Sequence, residues 1–269
     1  NYLKSTGEYS MYNFSFREKL NDESLLIDAR NELDFLGAIR DVRPDYIVNC
    51  IGILIGGANK IPENAIFLNA YMPHRLRKLA DNIDAKLIHI STDCVFSGNQ
   101  KKPYLEADMK DGTSIYARTK SLGEVISDRH LTLRTSVVGP ELKKTGEELF
   151  HWFMGQSGTV DGYTASKWSG VTTIELAKAV ESAIKNEITG IHHVTNNSSL
   201  SKYDILRFFK QYTKKNIDIV PVVGVDSDKS FRDTRLLLDF QIPSYEVMLS
   251  EMVAAIRENP NLYPHYILD

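Results

Sequence analysis

Three apolar runs constrain this chain more than anything else in it: "DYIVNCIG" (45–52), "KLIHISTD" (86–93) and "LTLRTSVVG" (131–139). Each has the length of a strand and is nearly continuous in apolar character, the pattern of a strand covered on both faces. Helical patterns separate them. "ELDFLGAIRDVRP" (32–44) is a helix stopped by Pro44, another runs from about Glu63 to Asn82, and a third starts within 114–124 and reaches about Ser127. Strands spaced by helices in this way build a parallel sheet from βαβ units, so the expected class is α/β, doubly wound.

Shorter elements flank this frame. Strands are expected at 9–14 ("YSMYNF") and 25–29 ("LLIDA"). After Gly139 the rhythm loosens: a helix at 172–186, a strand at 190–196, and a helix at 201–213 with Ser201 as its cap. "IDIVPVV" and "YEVMLSEMVAAIREN" close the chain as strand and helix. No low-complexity linker divides the sequence. A dinucleotide-binding domain is expected over 1–140 plus about 171–198, with an interwoven substrate lobe over about 141–170 plus 199–269.

A chain of 269 residues with net charge −3 has no basic surplus to neutralise phosphates, which excludes a general nucleic-acid binder. No apolar run reaches the length of a membrane span and no secretory signal opens the sequence. The two cysteines, Cys50 and Cys94, read as reduced core residues in strand-like runs, and the expected location is cytoplasmic. No His or Cys cluster has metal-ligand spacing, so no metal is expected.

In an open parallel sheet, ligands bind outside the carboxyl ends of the strands. That rule gathers Asp28 and Ala29, Asn49 to Gly52, Ser91 to Asp93, and Thr135 to Gly139 around one crevice. Tyr116 and Lys120 in "SIYARTKSLGE" (114–124) follow the strand ending in Thr92 and Asp93. Four apart on a helix, they share a face. A surface Tyr beside a Lys stem and a phenol activated by a neighbouring ammonium are both compatible with the spacing.

Six segments in order, "RPDYIVNCIG", "FLNAYMPHRL", "LIHISTDCVFSG", "KPYLEAD", "YARTKSLGE" and "LRTSVVGP", resemble the extended short-chain dehydrogenase/reductases, and among them the dTDP-4-dehydrorhamnose reductase family. The resemblance implies NAD(P)H-dependent reduction of a nucleotide-linked 4-keto-6-deoxy sugar, within deoxysugar synthesis for surface polysaccharide. It makes Tyr116 the general acid at the sugar carbonyl. Lys120 then lowers the Tyr116 pKa and holds the nicotinamide ribose, and Thr92 is a further hydrogen-bond donor to the carbonyl. For the cofactor it implies Asn49, Cys50, Ile51 and Gly52 along the ribose, Asp28 and Ala29 by the adenine, and Ser91 and Asn69 nearby, with a turn or cap role open for each. Asp93, Val95 and Phe96 fall on the substrate side. Nucleotide-sugar 4,6-dehydratases carry Glu where this chain has Cys94, which disfavours elimination.

Ser15 and Arg17, at the tip of the second strand, point to NADP, with NAD as the alternative. Trp152, Trp168 and Arg232 are candidates for substrate contact, and a homodimer is among the assemblies left open. An epimerase or reductase-epimerase is the alternative enzyme. The family's G-x-x-G-x-x-G turn is not found: "NYLKSTGEYSMYNF" reads as the end of a first helix, Gly7 as its cap, and the second strand. The first strand and Gly-rich turn are therefore expected to be missing, and residues 1–269 alone are expected to fold or bind cofactor poorly. A non-catalytic regulatory subunit, as in the resembling methionine adenosyltransferase β subunits, is the reading from a different class.

Overall fold

The computed structural model describes residues 2–268, which form two compact units. The first comprises residues 2–96, 109–134 and 180–192, and the second residues 97–108, 135–179 and 193–268. The second unit therefore takes in 97–108, 135–140, 171–179 and 193–198, which the sequence had placed with the dinucleotide-binding domain.

The first unit is the α/β layer that the apolar runs require. It opens with a helical turn, Tyr2–Ser5, that closes through Gly7, whose N–H reaches Lys4 O (3.3 Å) at φ +71°. β1 (Phe14–Ser15) pairs in parallel with β2 (Leu25–Leu26); β1 overlaps the expected strand 9–14 only at Phe14, and β2 is the start of the expected 25–29. α1 (Glu32–Val42) follows. Pro44 has no N–H to extend it, so Arg43 turns left-handed (φ 49°) and its own N–H closes on Ile39 and Arg40 carbonyls.

β3 (Tyr46–Asn49) and β4 (Lys86–Thr92) pair in parallel, with Ile47 opposite Leu87 and Asn49 opposite His89. β5 (Leu131–Thr135) and β6 (Gly190–His193) complete a four-stranded sheet in the order β6-β5-β4-β3. β5 is buried throughout and β4 nearly so, as their apolar runs demand. β3 departs from expectation: Ile47 and Asn49 are buried, but Val48 is exposed.

The connection from β3 to β4 holds the largest difference from the sequence reading. "IGGANK" forms α2 (Ile55–Lys60), a helix ahead of the one expected from about Glu63. The next helix then comes in three pieces: a turn at Pro62–Ala65, a π-helical turn at Ile66–Tyr71, and α3 (Met72–Asn82). Phe35, Leu36 and Ile39 from α1 meet Met72, Leu76 and Leu79 from α3 over Ile47 and Leu87 of the sheet. At about 25 cal/mol per Å² of apolar surface buried, such a cluster dominates the stability of this unit.

The second unit is a smaller mixture of strands and helices. Gly158–Tyr163 and Ile217–Val222 pair in parallel over six residues, and Lys202–Thr213 and Tyr245–Glu258 are its long helices. Phe150, Phe153 and Phe209 form its aromatic centre, with Phe150 edge-on to Phe209 at 5.1 Å. Ser201 caps Lys202–Thr213 in a reciprocal box with Asp204. Replacing Ser201 by Ala should cost about 1 kcal/mol, read as a lowered midpoint in urea with unchanged m-value.

Candidate active site

The chemistry-bearing residues of the first unit collect at the carboxyl end of β4. Its last residue, Thr92, passes into a 3₁₀ turn, Asp93–Val95. Thr92 Oγ1 accepts the Cys94 N–H (3.2 Å) and donates to Asp93 Oδ1 (3.1 Å), so its hydroxyl is oriented before any ligand arrives. Cys94 lies in this turn and is half-buried, and Cys50 is exposed; neither is the core residue expected, and neither is in a disulfide.

α4 (Ile115–Leu122) carries Tyr116 and Lys120. Ser114 caps it by accepting the Ala117 N–H (3.1 Å). The helix stops at Leu122, five residues before the sequence suggested, because Gly123 packs on the π-helical turn: a Cβ there would lie 1.9 Å from Asn69 O. Tyr116 is half-buried at the start of α4, one turn before the buried Lys120. The Lys120 ammonium donates to Ile90 O at 2.7 Å, two residues before Thr92. Burial lowers its pKa from 10.5 to about 8, with Glu124 and Cys50 working in the opposite direction.

Asn69 is fully buried and its amide is completely used. Oδ1 accepts Ile53 N–H (2.7 Å), and Nδ2 donates to Ile53 O (2.9 Å) and Thr119 Oγ1 (3.3 Å). One side chain thus links the loop after β3 to α4. Asn49 does comparable work: its Oδ1 accepts Ile51 N–H (3.1 Å), which leaves Nδ2 facing His89 Nδ1 at 3.0 Å. His89 Nδ1 must therefore accept, its proton sits on Nε2, and that atom is buried without a hydrogen-bond partner. Burial, then the nearby Lys120 and His74, push the His89 pKa well below its ordinary value, so the ring is neutral.

Glu124 was not singled out by the sequence, yet it organises this region. Its buried carboxylate accepts Arg134 Nε (2.7 Å) and Nη2 (2.9 Å), Lys110 Nζ (2.9 Å) and Ser91 Oγ (2.8 Å). Burial opposes its charge, but Arg134 and Lys110 outweigh burial and hold the pKa below the ordinary carboxylate value. The available signal was an arginine inside the apolar run "LTLRT". Ser91 is thereby committed to Glu124.

Some other sequence candidates have different surroundings. Val95 and Phe96 are fully buried, and Phe96 lies under the Arg134 guanidinium at 5.2 Å. Asp28 is gripped by Arg30, whose hydrogen bonds hold the carboxyl below its usual pKa. Ala29 is buried in the core cluster, while Ile51 and Gly52 continue the loop after β3. Ser15 donates to Glu18 O, and Arg17 lies beside the Phe16 ring.

In the second unit, Trp168 is buried, donates Nε1–H to Ser136 Oγ (2.9 Å) and packs on Tyr245, which assigns it to the core rather than to a ligand surface. Trp152 and Arg232 are exposed. Among the described residues no cluster could hold a metal, no Gly-rich turn leads from a strand into a helix, and no helix is long and apolar enough to cross a membrane.

Comparison with known proteins decides the family. Residues 18–233 match the family described as the RmlD substrate binding domain. The chain belongs to this family. It is 31% identical over 187 residues to dTDP-4-dehydrorhamnose reductase of Escherichia coli (strain K12), a match covering 66% of this chain and 62% of that protein. The chain thus spans less than two thirds of that relative's length. A crystal structure of a hypothetical dTDP-4-dehydrorhamnose reductase from Sulfolobus tokodaii superposes with TM-score 0.77 at 22% identity, covering 90% of this chain and 92% of that one. That of the Bacillus anthracis (strain Ames) enzyme in complex with NADP superposes with TM-score 0.75 at 22% identity, covering 89% and 93%. These likenesses establish the α/β fold of the family.

Two outcomes follow for this region. Gly123→Ala forces a methyl onto the Asn69 carbonyl, so the midpoint of thermal unfolding should fall, whereas Gly37→Ala, with open space at its Cβ, should be neutral or stabilising. Lys120 binds more protons unfolded than folded between about pH 8 and pH 10.5. The stability of the protein relative to Lys120→Met should therefore rise as pH increases through that window and be flat below it, as denaturant unfolding at pH 7 and pH 9.5 will read.

Proposed function

We propose that this protein is an NADPH-dependent reductase of a nucleotide-linked 4-keto-6-deoxy sugar, acting in the assembly of deoxysugars for surface polysaccharide. The observation that carries the reading is Lys120: a buried ammonium one helical turn after Tyr116, fixed to the Ile90 carbonyl two residues before Thr92. A lysine that serves only solubility is not buried against a strand backbone. The named activity of the E. coli relative and the NADP complex of the Bacillus anthracis structure support the same reading.

Bound NADPH would supply the hydride. The protein's part is the proton and its control. Tyr116 donates its phenolic proton to the sugar carbonyl oxygen, and the Lys120 ammonium stabilises the phenolate left behind, a charge pairing that brings an ordinary phenol near ~10 into working range. Thr92 exchanges its bond to Asp93 for one to the same oxygen. Asn49 and Asn69 hold the loop along which the ribose lies. Cys94, with a thiol in place of a carboxylate, provides no base for water elimination, which leaves carbonyl reduction as the outcome. The free thiols of Cys50 and Cys94 suit a reducing cytoplasm, where NADPH is kept reduced.

Hydride transfer from NADPH to a dTDP-4-keto-6-deoxy sugar by the full-length protein, followed at the nicotinamide absorbance, tests this. Tyr116→Phe should retain fold and cofactor affinity while losing at least ~100-fold in turnover. Lys120→Met should lose both turnover and cofactor affinity. Turnover by Tyr116→Phe within a few-fold of the parent overturns the assignment, and a full-length protein that binds the nucleotide sugar without reducing it favours the regulatory subunit.

A further inference from the structure

α4, which carries Tyr116 and Lys120, is only eight residues long. A helix that short has little stability of its own, so its position is set by what holds its ends. The segment just before it, residues 110–114, holds both. Ser114 accepts the Ala117 N–H at 3.1 Å and caps the first turn. Lys110 reaches the last turn, where its ammonium donates to Ser121 O at 2.9 Å and to the Glu124 carboxylate at 2.9 Å. A cation beside the final carbonyls also suits the helix dipole. Residues 110–114 therefore form a strap that spans α4 from its last turn to its first.

Midway along the strap, Gly112 is pressed between two surfaces. Its N–H donates to Val95 O at 2.9 Å, in the 3₁₀ turn that follows Thr92. A Cβ on Gly112 would lie 2.5 Å from Cys94 O, 3.0 Å from Val95 O and 2.8 Å from the Ala117 Cβ. Two of those atoms are backbone oxygens, which cannot rotate away as a side chain can. The 3₁₀ turn is tied in its place to Thr92, whose hydroxyl accepts the Cys94 N–H at 3.2 Å. On the other side, Ala117 directly follows Tyr116. Gly112 is thus the spacer between the turn that orients Thr92 and the helical turn that orients Tyr116. In the proposed reaction these two residues meet one carbonyl oxygen, and a hydrogen bond tolerates only a few tenths of an ångström in length.

We propose that residues 110–114 set the spacing between Thr92 and Tyr116, with Gly112 and Lys110 as positioning residues for transfer of the Tyr116 proton. The proposal deepens the reductase reading above and rests on it. Neither residue needs to touch substrate or cofactor.

Turnover of a dTDP-4-keto-6-deoxy sugar by the full-length protein, set beside NADPH affinity from nicotinamide fluorescence, tests the strap. Gly112→Ala should lower kcat at least ~10-fold, since a misplacement of about 1 Å can cost ~100-fold. Its NADPH Kd should stay within ~2-fold, because Asn49 and Asn69 hold the loop after β3 without help from the strap. Lys110→Met should likewise lower kcat and spare Kd, and Lys110→Arg, which keeps the cation, should restore most of the rate. In a Thr92→Val background Gly112→Ala should add little, because the spacing it disturbs matters only while both contacts exist.

A Gly112→Ala protein with parental kcat and only a lowered thermal midpoint limits the strap to stability and overturns the proposal, while the reductase reading stands. Equal losses of kcat on Gly112→Ala in the parent and Thr92→Val backgrounds do the same. Should Gly112→Ala fail to fold, Lys110→Met in those two backgrounds decides by the same criteria. A parent protein that binds NADPH and the nucleotide sugar without turnover overturns both the strap and the reductase reading.

Discussion

The Glu124 carboxylate is the interaction on which the carboxyl end of β4 depends. Four donors reach it from three places: Arg134 on β5, Lys110 in the loop before α4, and Ser91 on β4. Glu124 itself follows the end of α4. A buried ion pair contributes little net stability, since desolvation of both partners offsets their attraction. Removing one partner is another matter. Without Glu124 the fully buried Arg134 would be an uncompensated charge, at a cost of about 3–5 kcal/mol. The pair's value lies in fixing positions. Ser91 cannot slide along β4, so Thr92 is held at its last residue, and the end of α4 cannot lift from the sheet.

Asn69 supplies the second constraint, by a different route. Its side-chain amide presents a donor and an acceptor to the backbone of Ile53, as a neighbouring strand would. The loop after β3 thus gains an edge partner where no strand exists. The residue that reaches both Ile53 and Thr119 lies within the π turn over Ile66–Tyr71. Gly123 then follows as a necessity, because only a residue without Cβ can close on the Asn69 carbonyl. The Asn, the π turn and the Gly, more than fifty residues apart, form one solution to holding α4 beside the loop.

What was legible in the sequence follows from the range of the forces involved. Apolar periodicity is local, so the strands 46–49, 86–92 and 131–135 and the helices between them could be read within a few residues. That Tyr116 and Lys120 share one helix and that Thr92 ends a strand could be read because those patterns are local. Failures came where tertiary packing overrode a local signal. Val48 is exposed within an apolar run, and Trp168, a candidate for substrate contact, is locked into a core. Cys50 lies just past the end of β3, so the strand's apolar run did not bury it. Glu124 was hidden for the opposite reason. Its significance depends on residues at 91, 110 and 134, and no spacing rule connects them.

The charges of this interior are arranged so that Lys120 stands as the cation beside β4. His89 lies close enough to Lys120 for its charge to be disfavoured by it, after burial has already done most of that work. The neutral ring then has one lone pair to offer, and Asn49 Nδ2 takes it. Protonation would place an N–H against an N–H, break the Asn49 contact and release the Ile51 N–H that the same side chain orients. The unfolded chain binds that proton near pH 6.5 and the folded chain only well below it, so stability drains as pH falls below 6.5, and the strain enters at the loop after β3. A cation at Lys120 and a neutral histidine beside it are therefore two sides of one design. The loop after β3 is held by a hydrogen bond that survives only while His89 stays uncharged.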